Sequence, residues 1–188
     1  MRVPLSLLVC VVAAGCASRP RVSDVPPHLP DHVFASLKDN DAGALSQAQW
    51  AFSDPDHTKD NPAAAAKAVV AIEYLADDLR ADPKWVYMPP STRERMLRAR
   101  SDLRALLGIR RDASPQAVVN ALLAAADALQ AGQQDAALSA LSGTPFMRPS
   151  PETLGVLRRM PPVPSASVAS ALAFSGQFPV PYVGARGG

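Results

Sequence analysis

Past residue 16 this chain of 188 residues contains no cysteine. That excludes an internal disulfide framework and any thiol nucleophile from nearly its whole length. It has three histidines, His28, His32 and His57, and each lies in a stretch that reads as tether or loop. No glycine-rich phosphate loop and no G-x-S-x-G turn is present, nor is there the strand and helix alternation that would carry them. Bulk charge is missing too: beyond Arg2 and the rest of the leader, 18 basic side chains face 17 acidic ones. Electrostatic binding of nucleic acid, which needs a clear basic excess, is not expected. Without cross-links, stability has to come from packing one core of modest size.

What the chain has instead is a distinctive start. Met1 to Cys16 reads MRVPLSLLVCVVAAGC, with one positive charge at Arg2 and an apolar run from Val3 to Val12. Such a run has the length of a signal-peptide core and is too short for a membrane-spanning helix. It closes on Ala13-Ala14-Gly15-Cys16, and these residues resemble the lipobox of bacterial lipoproteins, with Ala13 where leucine is usual. The resemblance covers residues 1–16 only. It implies cleavage before Cys16, a diacylglycerol thioether on its sulfur and an N-acyl chain on its new amino group. Each buried methylene of such chains contributes about 0.8 kcal/mol, so several chains together anchor firmly. Ala17 follows in place of an inner-membrane retention aspartate, which implies the periplasmic face of the outer membrane. No other cofactor is expected.

The 19 prolines fall in clusters and divide the rest. Residues 16–32 hold four of them and read as an extended tether behind the leader at 1–15. Pro30 prevents His28 and His32 from forming a helical metal pair. Residues 33–175 read as a helical domain and 176–188 as an extended tail in which Phe178 and Tyr182 could tuck inward. The predicted fold class is all-α, a bundle or irregular array of short antiparallel helix pairs.

Helical spacing marks Asp41 to Phe52, capped by Asp41, with Leu45, Ala48 and Phe52 inward and Trp50 off that stripe. Pro62 to Ala81 is clearer, with Ala65, Val69, Ile72, Ala76 and Leu79 as its seam and Glu73, Asp77 and Asp78 on the other face. Trp85 and Tyr87, in the apolar link after Pro83, are expected to fold back as packing groups. Ser91 and Glu94 read as a capping box opening a helix that Gly108 ends. Its seam is Met96, Ala99, Leu103, Leu106 and Leu107. Ser114-Pro115 opens the next helix, which runs towards Gly132, and a short one spans 134–141. Residues 121–141, ALLAAADALQAGQQDAALSAL, resemble a single tetratricopeptide-type helical hairpin, without that repeat's aromatic positions. Ser150-Pro151 starts a helix to Met160. Ser165 caps a last one with Val168, Ala169 and Leu172 inward, while Pro161-Pro162-Val163-Pro164 between them reads as a terminator more than a polyproline ligand.

Two groups of side chains invite a functional reading. Asp54, Asp56 and Thr58 form D-x-D-x-T, similar to the nucleophile motif of haloacid-dehalogenase-type phosphatases, and with Asp60 they alternate like a calcium loop. The preceding LSQAQWAFS has helical spacing where that phosphatase motif needs a strand, and Lys59 and Ala65 stand where a calcium loop needs glycine and glutamate. A polar turn is therefore expected, with Asp54, Asp56 and Asp60 the weak metal candidates and Asn61 a helix cap. The arginines at 93, 100 and 104 share one flank and should pair with the acidic helix, as surface pairs of little individual weight. Arg95, Arg98, Arg110 and Arg111 are left to meet an acidic partner or an anionic surface. With no convergent acid, base and nucleophile, an interaction or scaffold module in the cell envelope is expected, not an enzyme. Its partners would be the bilayer, through Cys16, and an envelope protein. A metal-assisted hydrolase using the 54–60 loop and a carrier of a hydrophobic ligand between helices, near Trp85, are the alternatives.

Overall fold

The computed structural model describes residues 25–34 and 39–178. Seven α-helices make up most of it: α1 (Asn40–Ser53), α2 (Pro62–Ala81), α3 (Pro90–Leu107), α4 (Pro115–Gln130), α5 (Gln134–Ala140), α6 (Ser150–Arg158) and α7 (Pro164–Gly176). No strand occurs among the described residues. The nearest approach is a single antiparallel bridge between Ile109 and Phe146.

α2 is the hub. Its run of small residues, including Ala63, Ala65, Ala66, Ala68 and Ala71, lets neighbouring backbones come close, and 14 of its 20 residues are buried. Helices α1 and α3 pack on it from two sides, and both also pack on α7, so α2 and α7 occupy opposite corners of a four-helix group. α4 makes its largest interface with α2, α5 folds back on α4, and α6 touches α2, α3 and α5. Leu45, Ile72, Leu75, Leu79, Met96, Leu103, Leu107 and Leu122 fill the interior. At roughly 25 cal/mol per Å² of apolar surface, each contributes about 1.5 to 3 kcal/mol.

The boundaries follow local chemistry. Asp39 accepts from the Asp41 amide at the start of α1, 2.9 Å away, so the cap lies two residues before the one expected. Asn61 Oδ1 accepts from Ala64 N at 3.1 Å, and Pro62 supplies the first turn of α2 as the sequence indicates. Gly108 ends α3 in the left-handed region at φ +68°, with Ile109 N donating to the Arg104 carbonyl at 2.8 Å in a Schellman closure.

Several expectations need correction. α3 starts at Pro90 after Pro89, which puts Ser91 inside the first turn, and Ser114 stands at the head of α4 without a side-chain cap hydrogen bond. α7 turns Ala166, Ala169, Ser170 and Ala173 inward and leaves Val168 and Leu172 more than 40% exposed. This inner face of small residues is the one that packs on α1 and α3. Tyr87 does not pack: it is 84% exposed, whereas Met88 beside it is buried. Residues 25–34 also carry more than a tether would. Leu29 and Phe34 are buried, His28 exchanges two backbone hydrogen bonds with the Gln116 side chain, and Phe34 lies so close to Gly43 that a Cβ there would meet it at 2.8 Å.

Candidate functional site

Three acidic groups on α2 and the cations that answer them form the densest polar assembly among the described residues. Glu73 is fully buried and takes a forked pair of hydrogen bonds from Arg104, Nε to Oε1 and Nη2 to Oε2, both 2.7 Å. The remaining arginine nitrogen, Nη1, donates to the carbonyls of Arg111 at 3.2 Å and Ala113 at 2.9 Å, so the same side chain holds the turn after α3. One turn along, Asp77 meets Arg100 Nη1 at 2.9 Å, but out of line for a hydrogen bond. Asp78 accepts from Trp85 Nε1 at 2.6 Å and from the Tyr74 hydroxyl at 3.3 Å. Tyr74 and Lys84 in turn reach Asp41 at the head of α1.

Burial pushes the carboxyls of Glu73, Asp77 and Asp78 above their ordinary range, against the pull of Arg104, Arg100 and the Trp85 indole respectively. The Tyr74 phenol is raised by burial and by the Asp41 carboxylate it serves. The acids and Arg104 face one another and not solvent, and Lys84 stands at the edge with its side chain 39% exposed. Chemically the assembly fastens α2 to α3 and α1.

The sequence identified the pairing flank of α3 but placed these acids on a solvated face. α2 has no solvated face at their level, because helices surround it. Two signs of this were readable: the density of alanine along α2, and the match between arginines at 100 and 104 and acids at 77 and 73 in reverse order, as an antiparallel pair requires. Arg93, the third of that flank, donates to the Trp85 carbonyl at 2.6 Å in place of an acid.

The 54–60 loop is a polar turn with its carboxylates directed to separate partners. Asp54 Oδ1 accepts from Asp56 N at 2.9 Å, Asp56 meets Lys59 at 3.3 Å, and Asp60 lies 3.6 Å from Arg159. Among the described residues no group of three His, Cys, Asp or Glu side chains could hold a metal ion. Trp50, beside this loop, stacks on the His57 ring at 5.0 Å while remaining 43% exposed.

The four arginines left for a partner divide between two elements. Arg95 and Arg98 stand one turn apart on the outside of α3, where Arg98 pairs loosely with Asp102 at 3.6 Å and Arg95 makes no ion pair among the described residues. Arg110 and Arg111 lie on the following turn. Arg110 is held to Asp112 by two 3.0 Å hydrogen bonds, which raise its pKa, and Arg111 points outward. Beside Arg98, an open groove of about 430 Å³ runs between Asp102 and Leu106 of α3 and the segment from Pro161 to Ser165 that leads into the first turn of α7.

Cys16 and Tyr182 lie outside the described residues, and among those described no helix is long and apolar enough to cross a membrane. Set against models of protein families, curated proteins and solved structures, the chain matches none.

Proposed function

We propose that this chain is an exported, lipid-anchored helical module of the cell envelope, held to a membrane through Cys16 and joined to an envelope protein by its exposed arginines. The outer membrane, on its periplasmic face, is the proposed location. One observation carries the reading of the surface. α3 divides its cations by face, committing Arg100 and Arg104 to the acids of α2 and holding Arg95 and Arg98 outward on a rigid helix. Cations fixed in position but not spent on the fold favour an acidic partner and steer its approach. The polar turn at 54–60 supports the same side of the question, since its carboxylates are occupied with backbone, Lys59 and Arg159.

Crosslinking in native membranes tests this. A discrete partner band is expected, and Arg95→Glu with Arg98→Glu should weaken it at least tenfold while the thermal melt of the domain stays in place. Recovery of the monomer alone with several crosslinkers would overturn the reading.

A further inference from the structure

Between Arg159 and Arg186 the sequence has no charged side chain. The described part of that stretch is the approach to α7, α7 itself and the two residues after it. The outer side of α7 carries Val168 and Leu172 one turn apart, 45% and 41% exposed, and Phe178 follows at 66%, edge-on to Phe174. At this end of the bundle a Cβ on Gly176 would lie 2.7 Å from the Met88 sulfur. The link before α3 therefore adjoins the end of α7, and it contributes Val86 at 67% and Tyr87 at 84% exposure. Five large exposed apolar side chains thus come from two segments that touch.

From these observations we infer that the outer face of α7, with Val86 and Tyr87, lies against the bilayer that carries the Cys16 anchor. The inference rests on the lipid-anchored reading above and specifies which way the domain faces. Eight residues lie between Cys16 and Val25, so the nine Cα-to-Cα steps reach at most about 30 Å and keep the domain beside its membrane. At that range the bilayer is present at high effective concentration, and weak contacts suffice to orient the domain. A patch of two aliphatic residues and a few rim groups is small for a lasting protein complex, which needs about 1,000 Å² or more. It suits shallow seating at the headgroup boundary, where apolar area is favourable, no ion has to be desolvated, and a tyrosine can keep its hydroxyl wet. The flank of α3 beside α7 is compatible with this. Asp102 and Leu106 line the groove with Arg98, and Arg95 continues their row by a turn, so the border carries two cations to one acid. An anionic headgroup layer is not repelled there.

The test uses the full acylated chain in vesicles of phosphatidylethanolamine and phosphatidylglycerol at 3:1, spin-labelled singly at Leu172→Cys, Tyr87→Cys or, on exposed α5, Asp135→Cys. Labels at 172 and 87 are expected to be at least fivefold less accessible to an aqueous nickel chelate than the label at 135, and more accessible to oxygen. Equal access to the chelate at all three sites overturns the inference. Shielding from both reagents, with spin broadening relieved by unlabelled chain, also overturns it, because it identifies a second copy as the occupant. Mass spectrometry of the same sample separates the two levels. A bare Cys16 sulfur removes the anchored reading and this inference with it, whereas an acylated Cys16 with water-exposed labels removes the inference alone.

Discussion

At the scale of single residues the protein depends most on Arg104. Removing it would leave Glu73 charged and unpaired in the interior and take a donor from the Arg111 and Ala113 carbonyls. Breaking a buried pair from one side costs about 3 to 5 kcal/mol, while replacing both partners with apolar groups is often close to neutral. Urea unfolding of Arg104→Ala should show a loss of that order, and Glu73→Met with Arg104→Met should recover most of it. Asp77 gives a pH dependence of defined sign. Burial raises its carboxyl above 3.8 in the folded protein, so the folded state holds this proton more tightly than the unfolded one. Its contribution to stability is then complete below about pH 3.8 and is lost as pH rises through the raised value. Asp77→Asn should therefore gain stability over the natural chain at neutral pH, and the gap should close on acidification. A gap constant with pH would show that the carboxyl binds its proton equally in the folded and unfolded chains, and a gap that widens on acidification would show that Arg100 holds it ionised.

At the scale of elements, helix ends offer a sharper comparison than helix interiors. Asn61 makes a real cap and Ser91 and Ser114 do not, although all three stand at the positions where sequence rules place one. Asn61→Ala is expected to cost about 1 kcal/mol in chemical denaturation and the two serine-to-alanine changes almost nothing. The rule failed at Ser91 because Pro89-Pro90 had already set the entry geometry, a competition visible in the sequence but not resolved by it. The extent of α2, by contrast, was legible to the residue from Pro62 and Pro83. The orientation of α7 was not. Its inner face is alanine and serine, and a reading that seeks large apolar groups for the core assigns such a helix backwards. Which face turns inward is decided by how the helix packs on α1 and α3, which its own sequence does not state.

At the scale of the whole molecule, the fold class could be read from punctuation and period, whereas the central position of α2 could not, since it depends on how many neighbours a helix acquires. The same limit hid the buried acids, whose pairing partners were legible but whose depth was not. The segment at 25–34 shows it again: Leu29 and Phe34 look incidental among prolines, yet they join the core. Gly43→Ala tests that attachment, because its Cβ would meet Phe34 at 2.8 Å. Faster amide exchange over residues 29–34 and a loss of up to about 3 kcal/mol, the burial of one large side chain, are expected. Unchanged exchange would mean the segment can shift without leaving its seat.

The placement of α7 also bears on how the protein is made. α1 and α3 are complete by residue 107, yet the space between them is filled by a helix that does not begin until residue 164. A polypeptide delivered amino end first, whether by a ribosome or through a pore, cannot shut this bundle until some seventy residues more have emerged. Until that moment it stays open, and an open chain is the only kind that can be threaded.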